Sequence, residues 1–215
     1  MNLLDMGALA QSEALANRSL SAVELMEATL DRIEAVNGRV NAIVSMVARD
    51  VLLDQARAAD AGRRRGWLHG IPIAIKDLSD AKGLPTSKGS PLFAGSIAEN
   101  DSLFVARIKA AGAIVSGKTN TPEFGLGSHT FNPVHGATRN PYDLSRSAGG
   151  SSGGAAAALA SGMLSIADGS DMMGSLRNPA GWNNVYGMRP SWGTVPAEPE
   201  GDMYCLLYTS PSPRD

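Results

Sequence analysis

Apolar positions 23, 26, 30 and 33 (Val23, Met26, Leu30, Ile33) recur at helical spacing, which predicts a helix with one buried face. Ser21-Ala22-Val23-Glu24 opens it as a capping box, and Asn37-Gly38 supplies a stop. Residues 41–47 read as a short strand and residues 49–61 as a second helix. In Ile71-Pro72-Ile73-Ala74-Ile75-Lys76-Asp77 the isoleucines alternate onto one face, a strand signal. Lys76 then shares the opposite face with Ala74 and Pro72, both small. Residues 81–97, rich in Gly, Pro and Ser, form a long loop, and 101–111 a helix followed by a strand at 113–116. Residues 132–147, with Pro133 and Asn140-Pro141, make another loop. Alanine-rich 155–160 predicts a helix, and Ser165-Ile166-Ala167 a short buried strand. Strands alternating with helices give the α/β class, helices covering a sheet. No internal repeat interrupts that order.

The densest patterning lies in residues 146–177, which hold two serine turns. One is Gly149-Gly150-Ser151-Ser152-Gly153-Gly154 and the other Gly169-Ser170-Asp171-Met172-Met173-Gly174-Ser175-Leu176-Arg177. Glycines so placed let backbone N–H groups approach a ligand closely. Regular elements on either side hold both turns as loop tips, where catalytic residues concentrate.

Composition narrows the functional classes. With 215 residues, 43% of them hydrophobic, the chain can bury a sizeable core. The 19 basic and 21 acidic residues nearly balance, and aromatics are 5%, so neither nucleic acid nor an anionic membrane is an expected partner. The N-terminus lacks a basic region followed by an apolar run, and no apolar stretch reaches spanning length, so a cytoplasmic location is expected. Arg63-Arg64-Arg65 reads as a solvated helix end. The single cysteine, Cys205, opens residues 205–215, which resemble read-through of a sequencing-library adapter. These eleven residues are set apart as a non-native tail, leaving 1–204 as the N-terminal part of one domain. Without Cys205, disulfides, thiol catalysis and thiolate-bound metal drop out. No metal and no cofactor are expected.

Three motifs compete for the chemistry. Gly112-Ala113-Ile114-Val115-Ser116-Gly117-Lys118-Thr119 fits the phosphate-loop expression. That mechanism needs a strand before the first glycine and a helix after the lysine; here the predicted order is reversed. Gly149-Gly150-Ser151-Ser152-Gly153 fits G-x-S-x-G, but that hydrolase fold places its histidine after the serine. His69, His129 and His135 all precede Ser151. A histidine further on in a longer chain would keep this reading open, although the doubled serine fits it poorly. The third reading activates a serine hydroxyl with a neutral lysine. Lys76, on a buried strand among small residues, has its charged form disfavoured by desolvation.

Residues 21–190 resemble the amidase signature family. The resemblance is carried, in one order, by Gly70-Ile71-Pro72-Ile73-Ala74-Ile75-Lys76-Asp77, Gly117-Lys118-Thr119-Asn120-Thr121-Pro122-Glu123-Phe124, Asn140-Pro141-Tyr142-Asp143-Leu144, the two serine turns, and Gly187-Met188-Arg189-Pro190. It implies an α/β/α fold around a mixed central sheet, and hydrolysis of a carboxylic amide through an acyl-enzyme. Ser175 would be the nucleophile, Ser151 the bridging serine on a cis peptide bond, and Lys76 the base. The N–H groups of Met172, Met173, Gly174 and Ser175 would hold the oxyanion. Gly125 would join the substrate-binding backbone and Ser152 support the relay. Asp171 and Arg177 would hold the loop.

Met173 departs from the family pattern, standing where the first of two glycines before the nucleophile is usual. Methionine is costly there if the position needs positive φ. The family's domain also continues past this chain, so a truncated sheet, prone to aggregation and catalytically weak, is expected. Two alternatives stay open: the glutaminase component of a tRNA-dependent amidotransferase, and a catalytically silent fragment. Thr121-Pro122-Glu123-Phe124 leans towards the stand-alone amidases. The expected partner is a small-molecule amide, with a homodimer left open.

Overall fold

The computed structural model describes residues 3–191 and 193–195. The tail at 205–215 lies outside the described residues. Helix α1 (Ala8–Ala16) leads to α2 (Ala22–Val40), which starts at the expected capping box. Ser21 Oγ accepts the Glu24 N–H at 3.1 Å, and the Glu24 carboxylate accepts the Ser21 N–H at 2.8 Å. Leu25, Met26, Leu30 and Ile33 form its buried face.

Contrary to expectation, α2 runs through Asn37-Gly38 to Val40, and Asn41 ends it in the left-handed conformation at φ 53°. A glycine weakens a helix by about 1 kcal/mol but does not stop one. Asn37 instead holds the turn that follows. Its Oδ1 accepts the Ala42 and Ile43 N–H groups, and its Nδ2 donates to Ile43 O at 2.7 Å.

Strand β1 (Ile43–Met46) and helix α3 (Arg49–Ala61) follow, then β2 (Pro72–Lys76), α4 (Leu103–Ala110) and β3 (Ile114–Thr119). These strands form one mixed sheet in the order β1-β3-β2, with β1 antiparallel and β2 parallel to β3. β2 is buried on both faces, as parallel strands between helical layers are. Ile73 and Ile75 pack with Val105 of α4. On the other side Ala74 meets Ile33 of α2 and Ala157 and Ala158 farther along the chain. Met26, Leu30, Leu52 and Ala56 close a third cluster over Ile114. The α/β arrangement read from the sequence is thus the observed one.

Three expectations fail. β3 continues past Ser116 to Thr119, because the sheet accepts Gly117 and Lys118 as readily as the preceding apolar residues. A Cβ at Gly117 would run into the Ser45 carbonyl of β1, so the strand needs glycine there. Residues 132–147 are largely two short hairpins rather than an open loop. β4 (Phe131–Asn132) pairs with β5 (Gly136–Ala137), and β6 (Arg139–Asn140) with β7 (Asp143–Ser147). Residues 165–167 form no strand. Ile166 packs against the Ile73 cluster, but what crosses to β2 is a side chain: Asp168 Oδ1 accepts the Lys76 N–H at 2.7 Å.

Helix α5 (Gly153–Ala160) is where the alanines predicted one, and α6 (Arg177–Trp182) is an addition. The first turn of α5 lies hard against other backbone. A Cβ on Gly154 would meet Ala42 O and Asn120 O, both at 2.7 Å. That contact seats Ser151 and Ser152 beside β2. Among the described residues no helix is long and apolar enough to cross a membrane.

Candidate active site

β2 ends on Lys76, whose amine lies within the core at 1% residue exposure. The glycine-rich first turn of α5 brings two serines to it. Lys76 Nζ stands 2.7 Å from Ser151 Oγ and 2.9 Å from Ser152 Oγ, and both serines are buried. The Gly150–Ser151 peptide bond is cis. A third hydroxyl, which sequence reasoning missed, completes the surroundings: Ser170 Oγ, also 2.9 Å from Nζ. Nothing local marks Ser170 beyond its membership of the second serine turn; it meets the amine only because residues 168–170 fold back over β2.

Burial pushes the Lys76 amine down to about 7 from an ordinary 10.5, against the pull of the Asp168 and Asp171 carboxylates. Burial likewise pushes Asp168 up to about 6, opposed by its bond to the Lys76 N–H and by the charges of Lys76 and Lys118. An amine so poised is substantially neutral near pH 7, the state a general base requires.

Ser175 approaches through its backbone: its carbonyl accepts the Ser152 N–H at 2.9 Å. Its hydroxyl makes no hydrogen bond among the described residues, so the structure brings Lys76 and Ser151 together but does not link Ser175 Oγ to them. The loop holding Ser175 is organised by Asp171. Its carboxylate accepts from Gly174 N–H at 2.8 Å, Leu176 N–H at 3.2 Å and Arg177 N–H at 3.0 Å. The Arg177 guanidinium adds a two-point pair, Nε at 2.9 Å and Nη2 at 3.0 Å. Burial works against the Asp171 charge, but those bonds outweigh it and hold the carboxyl at about 2. Asp171 and Arg177 thus tie the loop down.

The expected oxyanion donors divide. The Gly174 N–H, expected among the oxyanion donors, is given to Asp171 in this structure. The Met173 side chain is 82% exposed, and the positive φ in this turn falls on Gly174 at 105°. Methionine at position 173 therefore carries no left-handed backbone. Gly125 has φ 71° and gives its N–H to Pro122 O; a Cβ there would come within 2.5 Å of Leu78. No described contact joins Gly125 to the serine cluster.

The phosphate-loop pattern dissolves in the fold. Its lysine, Lys118, lies in β3 with Nζ bonded to Ser79 O at 2.7 Å and Thr86 Oγ1 at 3.0 Å, and 3.4 Å from Asp77. Burial lowers its pKa, and the Asp77 charge opposes that. Ser87 Oγ lies 2.5 Å from Asp77 and 3.0 Å from His135 Nε2, completing a polar cluster that spans β2, β3 and the β4–β5 hairpin. The remaining histidines are elsewhere: His129 against the Trp182 ring and His69 on Ala59 O. Among the described residues no group of three or more His, Cys, Asp or Glu side chains converges as a metal site.

The amidase family model matches residues 24–210. The indoleacetamide hydrolase of Bradyrhizobium diazoefficiens is 47% identical over 188 residues, covering 86% of this chain and 36% of that protein. The A subunit of the glutamyl-tRNA(Gln) amidotransferase of Anaeromyxobacter dehalogenans is 43% identical, covering 84% of this chain and 37% of that one. The crystal structure of a bacterial aryl acylamidase of the amidase signature family superposes with a TM-score of 0.84 at 33% identity, covering 93% of this chain and 42% of the other. The chain thus spans well under half the length of these relatives.

Proposed function

Because the chain belongs to the amidase family, we propose that it carries the catalytic serines and lysine of an enzyme that hydrolyses a carboxylic amide through an acyl-enzyme. The observation that supports this best is the 2.7 Å contact between the buried, readily neutral Lys76 amine and Ser151 Oγ.

In the reaction, Lys76 Nζ accepts the Ser151 proton while Ser151 Oγ accepts that of Ser175. Ser175 Oγ forms a bond to the amide carbonyl carbon. Collapse of the tetrahedral species breaks the C–N bond, and the relay runs backwards to protonate the departing amine. Water then attacks the ester carbonyl by the same relay, releasing the acid and restoring Ser175. Catalytic hydrogen bonds are often long or absent without substrate and tighten when it binds; the Ser175–Ser151 step is of this kind. Backbone N–H groups of the turn at residues 172–175 are the oxyanion donors in this reading. The substrate class is a small amide, as the names of the hydrolase and acylamidase relatives suggest.

A serine-reactive fluorophosphonate should label Ser175 in the full chain, and Ser175→Ala should abolish both labelling and amide turnover. Turnover that survives Ser175→Ala would refute the reading. The similarity to the amidotransferase at 43% identity favours one second reading, glutamine as the amide. Ammonia release from glutamine, with no turnover of aryl amides or of other primary carboxamides, would select it.

A further inference from the structure

We propose that Ser170 is a positioning residue for the Lys76 base: its hydroxyl completes a three-oxygen cradle that leaves the lysine lone pair only one direction, towards Ser151. The proposal rests on the relay described above and assigns a role to a side chain that the relay does not use.

The number of protons at Nζ decides which way the lone pair points. A neutral amine has two N–H donors and one lone pair, and three hydroxyl oxygens surround Nζ at 2.7, 2.9 and 2.9 Å. Ser152 is restricted to accepting from Lys76. Its own proton goes to Ser170 O at 3.3 Å, and its oxygen also takes the Ser170 N–H at 3.2 Å. One lysine N–H is therefore spent on Ser152, and the other goes either to Ser170 or to Ser151. Ser170 is partly exposed, so solvent or substrate can take its proton while its oxygen accepts from Nζ. The lone pair is then left for Ser151, the nearest of the three. Once Nζ has taken the Ser151 proton, the ammonium has three N–H groups for the same three oxygens, and none is left unsatisfied in the core. The charged groups facing Nζ, Asp168 and Asp171, are unaltered by a change at Ser170.

Without the Ser170 oxygen the second N–H turns to Ser151, and the lone pair no longer faces the proton it must accept. Ser170→Ala in the full chain should lower kcat by about a hundredfold with KM little changed, the lower end of what a general base contributes. Ser170→Thr, which keeps the hydroxyl, should restore most of it. A carbon-13 NMR titration of the Lys76 ε-carbon supplies a readout independent of turnover: in Ser170→Ala the midpoint should fall, because the buried ammonium loses an acceptor. An unchanged midpoint and unchanged kcat in a folded Ser170→Ala protein would overturn the proposal. Lys76→Ala in the same assay separates the two ideas. Full activity in that variant refutes the lysine relay itself, whereas loss in Lys76→Ala with full activity in Ser170→Ala refutes only the cradle.

Discussion

At the scale of single residues, Lys76 and Asp168 make the active-site region pH-sensitive in two opposed windows. The folded Lys76 titrates at about 7 and the unfolded one near 10.5, so the unfolded chain binds the extra proton between those values. Stability therefore rises with pH across that window, and its benefit is lost as pH falls towards 7. Asp168 is shifted the other way, from 3.8 up to about 6, so its stabilising contribution is present below 3.8 and lost as pH rises through 6. The pair contributes least between about pH 6 and 7. Lys76→Met should remove the alkaline rise and stabilise the fold near neutrality by an amount on the order of a few kcal/mol. Urea unfolding at pH 7 and pH 10 in both proteins measures this; equal slopes would show that burial of the amine is not what costs stability. In catalysis the same shift should make kcat/KM climb through pH 7 as the base becomes neutral, and Lys76→Ala should abolish that limb.

Among elements, α5 and α6 test what glycine is needed for. Gly154 sits where a Cβ meets backbone oxygens at 2.7 Å, and backbone cannot swing aside as a flexible side chain can. Gly154→Ala should therefore push α5 away from the backbone of Ala42 and Asn120, with a loss of about 1–3 kcal/mol that carries Ser151 and Ser152 away from Lys76. Gly181 in α6 has open space where a methyl group would stand, with nothing within 4 Å, and its φ is not left-handed. Gly181→Ala should stabilise by about 0.4–1 kcal/mol through helix propensity and a less flexible unfolded chain. Thermal melts of the two variants should move in opposite directions; a parallel shift would show that close approach is not the reason for Gly154. In β3 the buried Lys118–Asp77 pair links two strands to the Ser79–Ser87 loop. Removing one partner strands the other charge, so Lys118→Ala should cost about 3–5 kcal/mol, measured by chemical denaturation.

For the whole molecule, the described surface carries large apolar side chains along the stretch that follows the second serine turn. Tyr186 is 89% exposed, Met188 67% and Trp182 52%, with Met173 close by in sequence. Exposed apolar surface of this kind is either covered by a partner surface or promotes association. The 215-residue chain alone should therefore bind a hydrophobic dye and scatter light increasingly with concentration. Replacing Trp182, Tyr186 and Met188 together by serine should suppress both, and a wild-type chain that stays monomeric and dye-free would contradict the prediction.

Local chemistry on contiguous residues was enough for much of this protein. The capping box at Ser21, the 3.6-residue period of α2, the alanine run of α5 and the glycine-flanked serines are each written within a few positions, so they were legible before any fold was known. The helix end at Val40 was not, because Asn37 stops the chain only by bonding to Ala42 and Ile43 after the turn has formed. Nor was the absence of a strand at 165–167, where apolar burial and strand pairing give the same sequence pattern but only one of them occurs. The same holds for Ser170, which is 94 residues from Lys76 along the chain and 2.9 Å from it in space. Amino-acid order therefore dictated which residues form most of the elements and which serines and lysine are candidates for chemistry, because those signals depend on near neighbours. It took the assembled fold to make Lys118 a strand lysine paired with Asp77, to give the Gly174 N–H to Asp171, and to enclose Lys76 in three hydroxyls. Those outcomes depend on strand register and on which buried polar groups must satisfy one another, and neither is set until distant segments meet.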